Sequence, residues 1–332
     1  MISNDAVQAS GLRKLTGDDT VLPFEVKDLG VRGRVVRLAG SINDILGRHE
    51  YPRSVSALLA EAVALAAMLG SSLKFDGKLI LQTRTDGPVD LLVADFAVPG
   101  KVRAYAHYDA DKVAAMEKEG HPGSKELLGD GTLVLTIDQG PDMDRYQGIV
   151  ALDGTNLSEA ANTYFQQSEQ LPTDIRLAAG PVVSRGDAGV EQWRAGGILI
   201  QHLPRDGGSA QLPVHSGDVP EGAEEEEFEE NDDWVRARVF LATVEDHELL
   251  DPTLSPEELL YRLYHEDGVT VYDPHAIERY CQCSRERIAD IIGQFTPEEV
   301  DEMAIDGAIS ATCEFCSAVY DFKLTDFSGK GN

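Results

Sequence analysis

The chain has 332 residues, of which 42% are hydrophobic and 26% charged, so it is long enough for two globular domains. Its 58 acidic and 29 basic side chains give a formal net charge of −29. Such a charge repels phosphate backbones and anionic lipid surfaces, which argues against nucleic acids and membranes as partners.

The N-terminal residues, MISNDAVQASGLRKLTGDDT, lack the apolar core of a signal peptide. The most apolar helical stretch, residues 56–70, is shorter than a bilayer-spanning helix and contains Glu61. These features predict a cytoplasmic protein. The reducing conditions there disfavour structural disulfides.

Residues 21–204 are predicted to form one mixed α/β domain. Apolar residues at helical spacing predict a helix within residues 53–72. The short turns DGP and PGK separate three strand-like runs and so predict an antiparallel meander. The predicted strands are KLILQTRT, VDLLVADFA, KVRAYAHY, GTLVLTID, QGIVAL and GGILIQHLP, and LSEAANTYFQQSEQ is predicted to be a further helix.

Residues 205–233 differ in composition from the rest of the chain. They contain 11 acidic residues, one basic residue, several glycines and prolines, and few large apolar side chains. Such a segment cannot bury enough apolar surface to offset its ordering entropy. We therefore predict a disordered acidic linker.

Ordered structure is predicted to resume at Trp234. Apolar residues at helical spacing return in WVRARVFLATVEDHELLD, and capping boxes begin at Ser255 and Thr296. The segment ISATCEFCSAVYDF has β-rich flanks, which predict a hairpin with CEFC at its turn. Residues 234–332 are thus predicted to form a second, mainly helical domain.

All four cysteines of the chain lie close together in this second domain. They are Cys281, Cys283, Cys313 and Cys316, arranged as Cys-x-Cys and Cys-x-x-Cys with 29 residues between the pairs. Two such pairs supply the four soft thiolates of a closed tetrahedral zinc site. His265 and His275 could in principle ligate as well, although four sulfurs already fill the shell.

The predicted fold class is accordingly α+β. A mixed α/β core domain (1–204) with a largely antiparallel sheet is joined by the acidic linker (205–233) to a small zinc-binding domain (234–332).

The spacing of the cysteines also bears on redox chemistry. A Cys-x-Cys disulfide closes a small, strained ring and should be comparatively easy to reduce, a property that a purely structural zinc site does not need. CEFC is followed by a predicted strand, so no helix dipole can lower a thiol pKa there as in thioredoxin-like proteins. The chain also lacks a phosphate-binding glycine loop, a GxSxG elbow and an HExxH helix, so we predict no enzyme and no catalytic residues.

The cysteine pattern resembles that of the heat shock protein 33 family, which are redox-regulated holdase chaperones. Other segments resemble the family in the same order and span most of residues 21–322: SSLKFDGKLILQ, GPVDLLVADF, RYQGIVAL, YFQQSEQLPT, AGGILIQHLP, CQCSRERI and TCEFC. The resemblance implies one zinc ion per reduced chain, held by Cys281, Cys283, Cys313 and Cys316. It also implies that oxidation joins Cys281 to Cys283 and Cys313 to Cys316.

The resemblance further implies a chaperone that acts without catalysis. Zinc contributes roughly 10–16 kcal/mol to a small module, as much as the ~5–15 kcal/mol net stability of a whole domain, so oxidation that expels zinc should melt the module. The implied partners are unfolded or aggregation-prone client proteins during stress, and the resemblance allows a homodimer of the oxidised protein. The metastable linker is placed at residues 203–250, and the run from Glu224 to Glu230 resembles an insertion.

Two other functions remain open. One is a constitutive zinc-ribbon adaptor for nucleic acid or protein, although residues 232–332 hold 22 acidic and 8 basic side chains, which disfavours nucleic acid. The other is a thiol–disulfide oxidoreductase, which the predicted strand after CEFC disfavours.

Overall fold

The computed structural model describes residues 17–74, 76–140, 143, 145–183, 191–203 and 231–327. The predicted disorder of the acidic linker, with its glutamate run, falls mostly on residues 204–230 and so lies outside the described residues. Over the described ranges the chain forms two six-stranded sheets and a separate two-stranded hairpin.

Sheet A brings together strands from both ends of the chain. Its order is β10-β1-β2-β9-β8, every pairing is antiparallel, and β11 also pairs with β1. The strands are β1 (Thr20–Val26), β2 (Val31–Leu38), β8 (Thr173–Val183), β9 (Glu191–His202), β10 (Val269–Val271) and β11 (His275–Ala276).

Sheet B contains the predicted meander. Its order is β12-β5-β4-β3-β6-β7, antiparallel except for the parallel pair of β12 and β5. The strands are β3 (Lys78–Thr85), β4 (Leu91–Ala97), β5 (Lys101–His107), β6 (Asp130–Asp138), β7 (Tyr146–Asp153) and β12 (Glu278–Arg279). The consecutive antiparallel pairs of β3, β4 and β5 confirm the prediction made from the two short turns.

The described ranges also contain ten α-helices. They are α1 (Gly40–Leu46), α2 (Arg53–Gly70), α3 (Ala110–Glu119), α4 (Ser124–Leu128), α5 (Leu157–Tyr164), α6 (Asp232–Ala242), α7 (Asp246–Leu250), α8 (Pro256–Tyr264), α9 (Arg285–Ile292) and α10 (Pro297–Met303). The predicted capping boxes at Ser255 and Thr296 are both present. The helix predicted over 157–170 instead ends at Tyr164 and continues as a π-turn, Phe165–Glu169.

Helix α2 packs against strands of both sheets and forms the centre of the main core. It is the one helix within the described ranges that is long and apolar enough to cross a membrane by length and composition, and 78% of it is buried inside the protein. The apolar stretch 56–70 considered in the sequence lies within this helix. The helix begins at Arg53, so it is longer than the apolar segment considered.

Residues from both sides of the predicted linker share a second hydrophobic core. Helices α6, α7 and α8 cover the face of sheet A that is opposite to α2, and Trp234 and Leu260 pack there with Phe24 and Ile198. The Tyr264 side chain is fully buried, and its hydroxyl donates to the carbonyl of Ala237 at 3.1 Å. The three helices are thus fixed to sheet A by apolar contacts.

A third and much smaller core lies at the C-terminal end. Its four buried residues, Ile292, Val300, Ile309 and Phe322, come from α9, α10 and the hairpin of β13 (Ala308–Thr312) and β14 (Val319–Lys323). The hairpin confirms the predicted structure around CEFC, which occupies its turn.

An ionisable side chain in α2 makes the stability of the fold depend on pH. Burial, with a smaller contribution from Asp246 in α7, raises the pKa of the Glu61 carboxyl to about 7. Between its ordinary pKa of 4.5 and about 7 the folded form retains a proton that the unfolded form loses, so the stability due to this group falls as pH rises through this window.

We expect Glu61→Gln to remove this dependence, which thermal unfolding from pH 5 to pH 8 would measure. At pH 8 the variant should be more stable than the wild type by at most about 3 kcal/mol, the free energy equivalent of the raised pKa. Glu119→Gln, at an exposed position in α3, serves as the matched control. If the wild type and Glu61→Gln lost equal stability between pH 5 and pH 8, the pH dependence could not be assigned to Glu61.

Candidate metal centre

The hairpin turn brings the second cysteine pair into a compact loop. Cys313 follows the last residue of β13, and its amide donates to the carbonyl of Ala318 at 2.9 Å, while the Ser317 amide donates to the Cys313 carbonyl at 2.8 Å. Ser317 adopts a left-handed backbone conformation with φ of 56°. This tight turn points the sulfurs of Cys313 and Cys316 toward the first pair.

The first pair lies in the loop between β12 and α9, and its sulfurs meet those of the second pair. The Sγ atoms of Cys281 and Cys283 are 3.2 Å apart. The Cys281 sulfur lies 3.7 Å from the Cys313 sulfur, and the Cys283 sulfur lies 3.3 Å from the Cys316 sulfur. All four sulfurs fall within 4.8 Å of one another, and all four cysteines are free thiols. Metal–sulfur bonds of about 2.3 Å in a tetrahedron place sulfurs about 3.8 Å apart, so this cluster fits a metal ion.

The two histidines considered from the sequence are not part of this group of ligand atoms. His265 has its Nδ1 atom 3.0 Å from the carbonyl of Tyr261, and His275 lies in β11, paired with Val21 of β1. The described donor set is therefore four sulfurs.

The thiol pKa is shifted in different directions at Cys283, Cys313 and Cys316. Burial raises the pKa of the Cys313 and Cys316 thiols, in the latter case to about 12. Burial also acts to raise the pKa of Cys283, but hydrogen bonds from the Tyr320 hydroxyl, at 3.2 Å, and from the other thiols outweigh it and lower that pKa to about 7. The Tyr320 contact was missed from the sequence, where the residue appears only as one aromatic of a strand.

Phe315, between the two cysteines of the turn, packs on the outer face of sheet B. Its ring meets that of Tyr105 edge-on at a centroid distance of 4.9 Å, and the Arg103 guanidinium lies 3.9 Å from the Phe315 ring centre. Asp95, which is 3% exposed, holds Arg103 in a 2.6 Å ion pair. A second contact joins the Ser317 hydroxyl and His49 Nδ1 at 3.3 Å.

The role of Asp95 was also missed, since the residue entered the sequence analysis only as part of the predicted strand VDLLVADFA. The signal was present in the meander, because Asp95 and Arg103 stand directly opposite each other on β4 and β5. Opposite charges at paired positions of adjacent strands stabilise a sheet. Here the same pair also supports the aromatic contact to the cysteine turn.

Comparison with known proteins identifies the family of this two-sheet fold with its four-cysteine cluster. The model of the Hsp33 protein family matches residues 19–323, which is most of the chain. The chain belongs to the Hsp33 family. Its curated relatives include a 33 kDa chaperonin of Caulobacter vibrioides, 46% identical over 306 residues that cover 91% of this chain and 94% of the relative.

Further comparisons agree with membership of the Hsp33 family. A 33 kDa chaperonin of Pseudomonas paraeruginosa is 37% identical over 316 residues, covering 93% of this chain and 94% of that protein. The crystal structure of the 33 kDa chaperonin (heat shock protein 33 homolog) of Thermotoga maritima superposes with a TM-score of 0.70 at 20% identity, covering 93% and 97% of the two chains. The fold expected from the sequence, α+β with a helical C-terminal region, is confirmed.

Proposed function

We propose that this Hsp33 chaperone is a redox-regulated holdase that binds unfolding proteins in the cytoplasm during oxidative stress. The observation that supports it most strongly is the cluster of four free thiols within 4.8 Å, in a loop whose Phe315 packs on sheet B. A chemical change at the sulfurs would act directly on a contact between two parts of the chain.

In the reduced state Cys281, Cys283, Cys313 and Cys316 would hold one Zn²⁺ per chain. Zinc suits four thiolates in a closed shell, and it would keep all four deprotonated, including the buried Cys313 and Cys316. On oxidation we propose that disulfides join Cys281 to Cys283 and Cys313 to Cys316. Each pair of thiolates would give up two electrons to one peroxide molecule, which would take two protons from the solvent and leave as two waters, and the Zn²⁺ would be released once its thiolate ligands are oxidised.

Loss of the metal would then be transmitted to the rest of the molecule. The small core around Ile292 and Phe322 would lose its main support, and Phe315 would leave Tyr105 and Arg103. Unfolding of the metastable linker, proposed at residues 203–250, would remove α6 and α7 from β8 and β9 of sheet A and expose apolar surface such as Ile198 and Ile200 to clients. The division into domains 1–204, 205–233 and 234–332 remains a prediction.

The partners of this mechanism are unfolded or aggregation-prone proteins, with a homodimer as the proposed form of the oxidised protein. The proposed mechanism requires no nucleic acid, no membrane and no catalytic turnover. The net charge of −29 agrees with this restriction, because it opposes binding to phosphate backbones.

A comparison of the reduced protein with the protein treated with peroxide at mildly raised temperature tests the proposal. We expect the reduced protein to contain one zinc per chain and to leave the aggregation of a heat-denatured client unchanged in light scattering. Treatment should release the zinc and suppress aggregation, and a thiol reductant should reverse both effects.

Three results would contradict the switch. Equal suppression by the reduced, zinc-loaded protein would indicate a constitutive binding protein such as a zinc-ribbon adaptor. Multiple turnovers of a disulfide substrate would indicate an oxidoreductase. A reduced protein without bound metal would remove the proposed zinc centre itself.

A further inference from the structure

A cavity far from the cysteines lies between the two sheets, at the C-terminal end of α2. Its volume is about 280 Å³, and polar and apolar groups contribute about equally to its walls. Helix α2 contributes Met68, sheet B contributes Leu79, Leu135 and Ile137, and sheet A contributes Leu199. All of these except Ile137 are at most 4% exposed, so the cavity is formed by the packed core itself.

Two arginines on the same side of β2 face this cavity. Arg32 and Arg34 are two residues apart in the strand and therefore point in the same direction. Arg32 donates to the Oε1 atom of the buried Gln201 at 3.3 Å. Lys74 adds a third positive charge to the lining.

The second of these arginines, Arg34, is half-buried. Its Nε atom is buried and donates no hydrogen bond within the described part of the chain, and no salt bridge to it is formed by any described carboxylate. Desolvation, with a contribution from Arg32, lowers the pKa of the Arg34 guanidinium to about 10. A partly buried cation without an acceptor is costly, because its lost hydration is not replaced.

The acidic groups of the cavity do not balance these charges. Glu169 is the one carboxylate among the lining residues, and its Oε1 atom accepts a hydrogen bond from the Tyr164 hydroxyl at 3.0 Å. Three basic side chains and one acidic side chain therefore line this cavity, in a chain whose overall formal charge is −29.

We propose that this cavity binds a small amphiphilic carboxylate, such as a medium-chain fatty acid. Its carboxylate would pair with the Arg32 and Arg34 guanidinium groups, and its hydrocarbon chain would lie against Met68, Leu135 and Leu199. Guanidinium groups match carboxylates in planar geometry and form strong charge-assisted hydrogen bonds with them. The volume is close to the lower end of the usual range for ligand pockets, roughly 300–1,000 Å³, which suits a ligand of this size.

Isothermal titration of the reduced, full-length protein with decanoate, below its micelle concentration, tests the proposal. We expect one decanoate per chain and a rise in the unfolding temperature with decanoate concentration. Arg34→Gln should weaken binding about tenfold or more, the factor that loss of a charge-assisted hydrogen bond predicts. Without decanoate the same variant should be at least as stable as the wild type, because it removes a half-buried cation that has no ion-pair partner among the described residues.

Matched controls separate recognition of the anion from general binding of apolar molecules. Arg84→Gln makes the same change at an exposed strand position outside the cavity and should leave decanoate binding unaltered. Leu73→Trp, at the half-buried lining residue Leu73, should block the cavity and abolish binding even if Arg34→Gln does not fold. Decanol and inorganic phosphate should each bind at least about tenfold more weakly than decanoate, since each satisfies one part of the site.

Three outcomes would overturn the inference. They are absence of decanoate binding to the wild type, equal affinity of decanoate for wild type and Arg34→Gln, and equal affinity of the wild type for decanol and decanoate.

Discussion

Replacing Cys313 by serine should abolish stable metal binding in the reduced protein and unfold residues 280–327, while both large sheets remain intact. The core of this region has only four buried residues, and small domains of fewer than about 70 residues usually need a metal or disulfides to be stable. Loss of a metal ligand should lower zinc affinity at least about a hundredfold, because loss of an outer-shell partner alone costs 10–100-fold.

Zinc content and hydrogen exchange of the reduced protein would measure this effect. Amides in α9, α10 and the hairpin should lose protection in Cys313→Ser, while those of α2 keep it. Thr312→Ser, at the exposed neighbouring residue, is the matched control and should retain one zinc per chain. A zinc-loaded Cys313→Ser protein with wild-type protection would show that the four sulfurs are not the metal site.

Replacing Arg37 by methionine should release the segment of α6 and α7 from sheet A without removing the metal. Arg37 is 5% exposed, and its guanidinium donates to the backbone carbonyls of Asp251 and Leu254. Its Nε atom also lies 3.7 Å from a carboxylate oxygen of Asp18. Breaking a buried charged network of this kind costs about 3–5 kcal/mol, a large part of the stability of a domain.

We expect reduced Arg37→Met to keep its zinc, to exchange amides 232–254 faster than the wild type and to suppress client aggregation partially without oxidant. Arg176→Met is the matched control. Arg176 holds the same segment through the Val244 carbonyl at 3.0 Å, but its side chain is 41% exposed, so its loss should have a smaller effect. Wild-type protection and no gain of activity in Arg37→Met would mean that this arginine does not hold the segment in its inactive position.

Local patterns in the sequence predicted the elements whose side chains follow a simple period. The turns DGP and PGK fixed the order of β3, β4 and β5, and the caps Ser255 and Thr296 fixed the starts of α8 and α10. The cysteine spacing predicted one cluster, and the structure brings all four sulfurs together.

Elements without a clear period were not predicted. In strand β2, Arg34 lines the cavity and Arg37 is buried. These charged residues at inward positions conceal the alternation of apolar and polar side chains that marks a strand. Strand β8 contains glycine and proline, and in helix α3 the one buried residue is Val113. Short-range patterns fail in these elements because burial is incomplete or is shared with charged groups.

The sequence by itself predicted that the four thiols would form one site and that CEFC would occupy a hairpin turn, because the short spacing within each cysteine pair and the turn chemistry act over a few residues. Tertiary structure alone decided that β10 would pair with β1, where Val271 lies opposite Phe24, and that Phe315 would pack on Tyr105. It also decided that Arg34 would face a cavity between two sheets. These contacts join residues far apart in the chain, so they depend on the packing of whole sheets and leave no periodic signal in any one segment.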